Sequence, residues 1–162
     1  MLAARYRADL RIEKGLYSRS AVVTIGGRKL ALAVPTVYMN ESGQAVAPLM
    51  RRYEVGANAL VVVHDELDLD PAIVKLKNGG GLAGTNGLRS IKAHAKTDEF
   101  LRVRIGIGKP PSKEQGASHV LNKFSKADRI SIEIALATAA DAVESILGDS
   151  IDAAMLRFHT RQ

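Results

Sequence analysis

Residues 59–69, ALVVVHDELDL, constrain the fold more than any other part of this sequence. The run is apolar until it ends in acids, which is typical of a parallel strand buried on both faces. The stretch AIVKLKNG, residues 72–79, alternates apolar and basic side chains, as a half-exposed strand does. Helical patterns follow, at residues 86–95 and at the Ala-rich residues 126–147. Strands that alternate with helices predict an α/β fold, here a single three-layer α/β/α domain with a mixed, mostly parallel twisted sheet over residues 1–162.

Turn and capping residues predict further elements. Gly26 and Gly27 lie between two apolar, β-rich runs and predict a hairpin. Residues 1–14 have the pattern of a helix, with apolar side chains among charges. Asn40 occupies an N-cap position, and Pro48 predicts that the regular helix begins near it, after an irregular first turn.

Composition excludes several classes of protein. The 162 residues favour one domain with a sizeable core, and the 46% hydrophobic and 25% charged content is ordinary for a globular chain. Because there is no cysteine, disulfides and cysteine-based metal sites are excluded. No apolar run approaches the roughly 18 residues of a membrane span. The charged start has no apolar region of a secretory signal, so we expect a cytoplasmic protein.

The net charge of +6 is concentrated in residues 75–109. That segment has eight lysines and arginines against two acids, and the rest of the chain has fifteen of each sign. A concentrated positive field favours a polyanionic partner, because binding releases counterions. A solvated charged surface accounts for the charge equally well.

Four glycines in six residues, within KLKNGGGLAGTNGLRS, mark residues 79–84 as a functional loop. So much glycine costs more conformational entropy than a simple turn requires. Bare backbone that leads into a helix N-terminus offers N–H donors to an anion. The glycine loop consists of Gly79, Gly80, Gly81 and Gly84, and one face of the strand before it carries Lys75 and Lys77.

Two other interpretations of these glycines stay open. Gly79, Gly81 and Gly84 spell the G-x-G-x-x-G of a dinucleotide-binding loop, although the strand before them alternates lysine with apolar residues. A tight connection that passes close to other backbone would also favour glycine. A Walker A loop is excluded, since Thr85-Asn86 stands where Lys-Ser/Thr is required.

The acids after the apolar run suggest a catalytic carboxylate. Asp65 is the first of them and lies at the strand end, where α/β folds place their chemistry. His64 is still inside the run, and we expect a satisfied core histidine there. Glu66, Asp68 and Asp70 form either a solvated acidic loop or a metal-binding cluster.

Asn40 also has two interpretations. Its side chain can cap a helix, or its amide can point into a cleft and hold a substrate carbonyl or a water molecule. Spacing along the chain does not choose between them.

Five segments, in order and in register, resemble the bacterial peptidyl-tRNA hydrolase family: PTVYMNESGQAV, VVVHDELDL, VKLKNGGGLAGTNGLRSI, FLRVRIGIGKP and HVLNKF. The resemblance implies hydrolysis of the ester between a peptide and the terminal ribose of tRNA. It implies tRNA as the partner, no metal or organic cofactor, no membrane, and a monomer for the complete protein. The glycine loop and the basic strand would then receive the acceptor end of tRNA beside Asp65.

The resemblance also implies roles for single residues. Asp65 matches the aspartate that orients the catalytic histidine, which activates the attacking water. Asn40 and Asn86 match asparagines that hold the peptidyl-tRNA end and that water, and Tyr38 matches an aromatic residue beside the groove. Phosphate contacts are implied for Lys75, Lys77 and Arg104.

Some family features are absent from this sequence. The family begins with an apolar strand, a tight turn and the catalytic histidine, whereas MLAAR resembles the helix that follows them. The predicted sheet therefore lacks the family's first strand. We hypothesise that the true start lies upstream and that the complete protein is a hydrolase. Thr85 also replaces a histidine, Ala83 a glycine and Val34 a lysine.

Two alternative functions follow from these departures and from the glycines. The first is a catalytically inactive RNA-binding relative, as in chloroplast intron splicing, which loss of the histidines favours. The second is a dinucleotide-binding enzyme built on Gly79, Gly81 and Gly84.

Overall fold

The computed structural model describes residues 1–82, 85–121 and 124–159. They form two compact units, each made of two chain segments. The first unit comprises Met1–Val61 and Asn78–Leu101, and the second comprises Val62–Lys77 and the described part of Arg102–Gln162. The single domain expected from the sequence stays a prediction.

The first unit contains an antiparallel sheet in the order β1-β2-β3. Its elements are α1 (Leu2–Arg5), β1 (Arg11–Glu13), β2 (Ser18–Ile25), β3 (Arg28–Pro35), α2 (Gly43–Arg52) and α3 (Asn86–Ala95). The predicted hairpin is confirmed: β2 and β3 pair up to Ile25 and Arg28, and both glycines between them have positive φ. Such a two-residue turn matches the twist of the strands that it joins.

Two helix predictions in this unit are wrong. Residues 1–14 are not one helix, because the chain leaves α1 after Arg5 and pairs as β1 with β2. α2 begins at Gly43 rather than near Pro48, which lies inside it. Tertiary packing accounts for the early start: the Gly43 N–H donates to Ser90 Oγ at 3.0 Å, where α2 crosses α3.

The second unit contains a mixed sheet in the order β4-β6-β5. Its elements are β4 (Val61–Glu66), β5 (Val74–Asn78), β6 (Leu101–Gly106), α4 (Gly116–Leu121), α5 (Lys126–Gly148) and α6 (Ile151–His159). The terminal residues Val61, Asn78 and Leu101 of these strands fall in the first unit. Strands and helices together confirm the α/β class.

Hydrogen bonds fix the direction and register of these strands. Leu101 N donates to Leu60 O and Ile107 N donates to Glu66 O, so β4 and β6 run parallel. Gly79 N donates to Phe100 O and Gly106 N donates to Ile73 O, so β5 and β6 run antiparallel. The sheet is mixed, as predicted. The expectation that parallel pairs predominate is wrong, since the pairs β1-β2, β2-β3 and β5-β6 of the described strands are all antiparallel.

Among the described strands, β4 lies at the edge of its sheet, although its apolar run predicted a buried strand. Val63 at its centre is 49% exposed, and Val61 and Val62 are only partly buried. The run predicts burial correctly only when a strand lies on either side. Among the described strands, β4 has a neighbour on one side alone.

The core of the second unit lies on one face of this sheet. Val74 and Leu76 of β5 and Val103 and Ile105 of β6 are buried there. α5 contributes small buried side chains, including Ala135, Ala139 and Ala142. The Ser125 side chain accepts from Asp128 N and caps α5, which confirms the helix predicted over residues 126–147 to within one residue.

Candidate functional site

The structure brings Asn40 and Asn86 together in the first unit. Asn40 lies in the 3-10 turn Met39–Glu41, and Asn86 is the first residue of α3. The turn packs on α3 at Gly87, where a Cβ atom would lie 3.1 Å from the Met39 carbonyl oxygen. Glycine therefore permits this close approach. Both asparagine side chains are exposed next to the contact.

The N-cap interpretation of Asn40 is wrong. α2 begins after Ser42, and no side chain makes a capping bond there. The Ser42 hydroxyl donates instead to Met39 O at 2.6 Å, which stabilises the turn itself. The Asn40 amide is thus exposed beside α3 and is not used to start a helix.

Tyr38 immediately precedes this turn and is 82% exposed. An exposed aromatic ring next to amide groups is a surface on which a nucleobase can stack. Thr85, which replaces the family histidine, is the N-cap residue of α3 and makes no side-chain cap bond. Tyr38, Asn40 and Asn86 therefore form one polar and aromatic surface, which we call the asparagine surface.

The glycine loop is partly buried. Gly79 and Gly80 have φ of 60° and 78°, which favours glycine at both positions. Gly79 is buried against the Glu99 carboxylate, whereas Gly80 and Gly81 are exposed. Gly84 lies outside the described residues. Among the described strands, β5, the strand before the loop, lies at the edge of its sheet, unlike the buried strand that precedes a dinucleotide-binding loop.

Four cations lie on one face of the sheet in the second unit. The antiparallel register pairs Lys75 with Arg104 and Lys77 with Arg102 across β5 and β6. Side chains that are directly opposite in a sheet lie about 5 Å apart, and like charges there repel. We call this set the cation face.

A buried carboxylate lies on the same face as these cations. Glu66 Oε2 lies 3.9 Å from Arg104 Nη1 on the same face, and its side chain is buried. Arg102 is 1% exposed, so the arginine is held inside the unit while the lysines are partly exposed. A face that concentrates four cations favours an anionic partner.

Asp65 lies on the opposite face of the sheet. Successive residues of a strand point to opposite faces, and Glu66 shares its face with Arg104. The half-buried Asp65 is therefore directed to the same face as Val74 and Ile105. The expectation that the cations lie beside Asp65 is wrong, because strand alternation separates them.

His64 is not the satisfied core histidine that its position predicted. Nδ1 lies 2.7 Å from Asp65 O, whereas the buried Nε2 has no hydrogen-bond partner among the described residues. Burial lowers the pKa of His64, the bond to Asp65 O and the charge of Glu66 oppose this, and Arg102 adds to it. The ring is therefore neutral at pH 7, and its Nδ1–H donates to Asp65 O.

The remaining acids are engaged with their own loop. Glu66 Oε1 accepts from Asp68 N at 3.2 Å, and Asp68 pairs with Lys109 at 3.4 Å on the surface. Asp70 O lies so close to β6 that only glycine fits at Gly106. Among the described residues, no group of three His, Asp or Glu side chains is arranged to hold a metal ion.

Two residues were missed from the sequence. Arg102 could have been found, because the alternation in FLRVRIGIG puts it on the same face as Arg104. His159 gave no signal, since its contact with Leu76 spans 83 residues of chain.

In the part of the chain that the structure describes, no helix is long and apolar enough to cross a membrane.

Comparisons with known proteins match nearly the whole chain. A family model described as peptidyl-tRNA hydrolase matches residues 1–162. The peptidyl-tRNA hydrolase of Mycolicibacterium vanbaalenii is 42% identical over 159 residues, which are 98% of this chain and 83% of that protein. The one from Mycobacterium marinum is 43% identical over the same shares of each chain. The crystal structure of peptidyl-tRNA hydrolase from Acinetobacter baumannii has a TM-score of 0.91 and 36% identity, over 97% of this chain and 80% of that chain.

Proposed function

Because the chain belongs to the peptidyl-tRNA hydrolase family, as its resemblance predicted, we propose that it hydrolyses the ester bond of peptidyl-tRNA. The products are a free peptide and a tRNA that can return to translation. The observation that carries the proposal for this chain is the cation face, which concentrates four cations on one side of the sheet in the second unit. The compartment that fits this substrate is the cytoplasm.

The cation face is the proposed site for tRNA phosphates. Lys75 and Lys77 are the partly exposed members, and Arg104 stands opposite Lys75. Phosphate contacts of this kind are independent of base sequence and weaken as salt rises. They position the substrate and leave recognition of the ester to other groups.

The asparagine surface is the proposed site for the reacting end. The Asn40 and Asn86 amides can donate to the ester carbonyl and accept from the attacking water. Donors aimed at the developing oxyanion stabilise the transition state. The exposed Tyr38 ring can stack on a terminal base.

Asp65 is the proposed carboxylate that orients a histidine base. Each of the chain's own histidines is already close to a backbone carbonyl: His64 to Asp65, His94 to Ser90, His119 to Ile107 and His159 to Leu76. In each of these contacts the partner is a backbone carbonyl rather than the Asp65 carboxylate.

The engagement of all four histidines with backbone carbonyls also favours a second candidate function, that of an RNA-binding relative without activity. Incubating the protein with peptidyl-tRNA while measuring both binding and peptide release separates the two. Turnover abolished by Asp65→Asn supports the hydrolase. Tight binding without peptide release supports the inactive relative. If the protein neither binds peptidyl-tRNA nor releases peptide, both candidate functions are contradicted.

A further inference from the structure

His159 contacts the strand that carries two of the proposed phosphate-binding lysines. It is the last residue of α6, and its Nε2 lies 3.2 Å from Leu76 N and 3.0 Å from Leu76 O. Leu76 stands between Lys75 and Lys77 in β5. A side chain from a distant helix thus holds the backbone at the midpoint of the lysine pair.

The sheet register explains why this contact is needed. Lys75 and Lys77 direct their backbone groups toward β6, where they face Arg104 and Arg102. Leu76, between them, directs its N–H and C=O to the outer edge of the sheet. Edge groups have no strand partner and depend on water or side chains. His159 provides that partner, while the Leu76 side chain is buried on the apolar face.

We propose that His159 is a positioning residue that keeps Lys75 and Lys77 on the cation face by fixing β5 at Leu76. This inference rests on the proposed function, because it gives the lysine pair a polyanion to bind. Repulsion from Arg102 and Arg104 pushes the outer strand away from β6. His159 opposes that displacement from the other side of β5. The ring does not contact the ligand and acts through the strand.

The chemistry of the contact suggests a conservative replacement. The Leu76 N–H donates to Nε2, which can accept because the neutral ring carries its proton on Nδ1. A glutamine amide offers a donor and an acceptor at similar reach. His159→Gln should therefore preserve the link, whereas His159→Ala removes it. Leu156→Ala, on an exposed position of the same helix, is a matched control.

The first measurement is amide hydrogen exchange by NMR on the full chain. In His159→Ala, exchange at Leu76 should rise about tenfold or more, while Lys75 and Lys77, whose amides face β6, keep their protection. His159→Gln and Leu156→Ala should match the wild type. Equal exchange at Leu76 in the wild type and His159→Ala would overturn the contact itself.

The second measurement is affinity for a tRNA acceptor-stem hairpin at several salt concentrations. His159→Ala should bind several-fold more weakly with a shallower salt slope, and His159→Gln should restore both. In a Lys75→Ala/Lys77→Ala background, His159→Ala should have no further effect, because coupled residues are not additive. An equal loss in both backgrounds would show that His159 only stabilises the fold and would overturn the inference alone.

The proposed function has its own outcome in this experiment. If the wild type does not bind the hairpin, or the double lysine variant binds as tightly as the wild type, the proposed phosphate site is contradicted. The proposed role of His159 is then contradicted as well, because it rests on that site. If the lysines matter and His159→Ala binds like the wild type, only the inference is wrong.

Discussion

Two neighbouring residues, His64 and Asp65, show how one strand end serves two faces. The His64 ring lies on the face that carries Arg104, and the Asp65 carboxylate lies on the other. The Asp65 carbonyl accepts from the Nδ1 of His64, and the Asp65 charge acts to raise the pKa of His64. A change in the charge of His64 therefore acts next to a proposed catalytic residue.

We expect acidification to destabilise the protein through His64. Burial lowers its pKa in the folded state, so between that pKa and the ordinary value near 6.5 the unfolded chain binds more protons. Stability is therefore lost as pH falls from about 6.5 through the folded pKa, by at most about 1.4 kcal/mol per pH unit. Urea unfolding of wild type and His64→Asn between pH 7.5 and 5 measures this. Asparagine retains an amide donor toward Asp65 O and does not titrate. The free energy of unfolding of His64→Asn should therefore change less with pH than that of the wild type. An equal change in both proteins would contradict the assignment of this pH dependence to His64.

The packing of α2 on α3 depends on one glycine, Gly43. A Cβ atom on Gly43 would overlap the Ser90 carbonyl oxygen and press on His94, both of which belong to α3. Because the 3-10 turn that carries Asn40 also packs on α3, this crossing supports the asparagine surface.

Gly43→Ala should lower the free energy of unfolding by about 1–3 kcal/mol, because backbone atoms of α3 would have to move. Thermal or urea unfolding measures the loss. Gly15→Ala is the control, since nothing lies within 4 Å of its added methyl group, and it should leave stability nearly unchanged. A similar midpoint for both variants would mean that α2 and α3 can separate at little cost.

The pairing of β5 with β6 assembles the cation face. Lys75→Ala or Arg104→Ala should each weaken binding of the acceptor-stem hairpin and reduce the magnitude of the salt slope by about 1. Affinities measured at four or five salt concentrations give the slope. Arg129→Ala, at an exposed position on α5, should change neither quantity. An unchanged slope in the first two variants would remove them from the interface.

Across the whole molecule, local signals predicted the elements better than their surroundings. The hairpin at Gly26 and Gly27 and the helix Asn86–Ala95 follow from turn residues and periodicity, which act within a few residues. The burial of β4 and the faces of Asp65 and Lys75 depend on which strands are neighbours. That information lies in contacts far apart in the chain, and the apolar run alone could not supply it.

The exposed edge strands of the two described sheets predict self-association. β3 and β4 are each the last strand of a described sheet, and each exposes an apolar residue, Val34 at 43% and Val63 at 49%. An apolar edge strand can pair with another copy through its unpaired backbone groups. We therefore expect the protein to associate as its concentration rises.

Sedimentation velocity over a hundredfold concentration range measures the association. Val63→Lys places a charge on the β4 edge and should shift the distribution toward monomer, because lysine on an edge strand opposes pairing with another chain. Thr24→Lys, at an exposed position of the central strand β2, is the control and should associate like the wild type. A wild type that stays monomeric at the highest concentration would show that the exposed edges do not recruit a second copy.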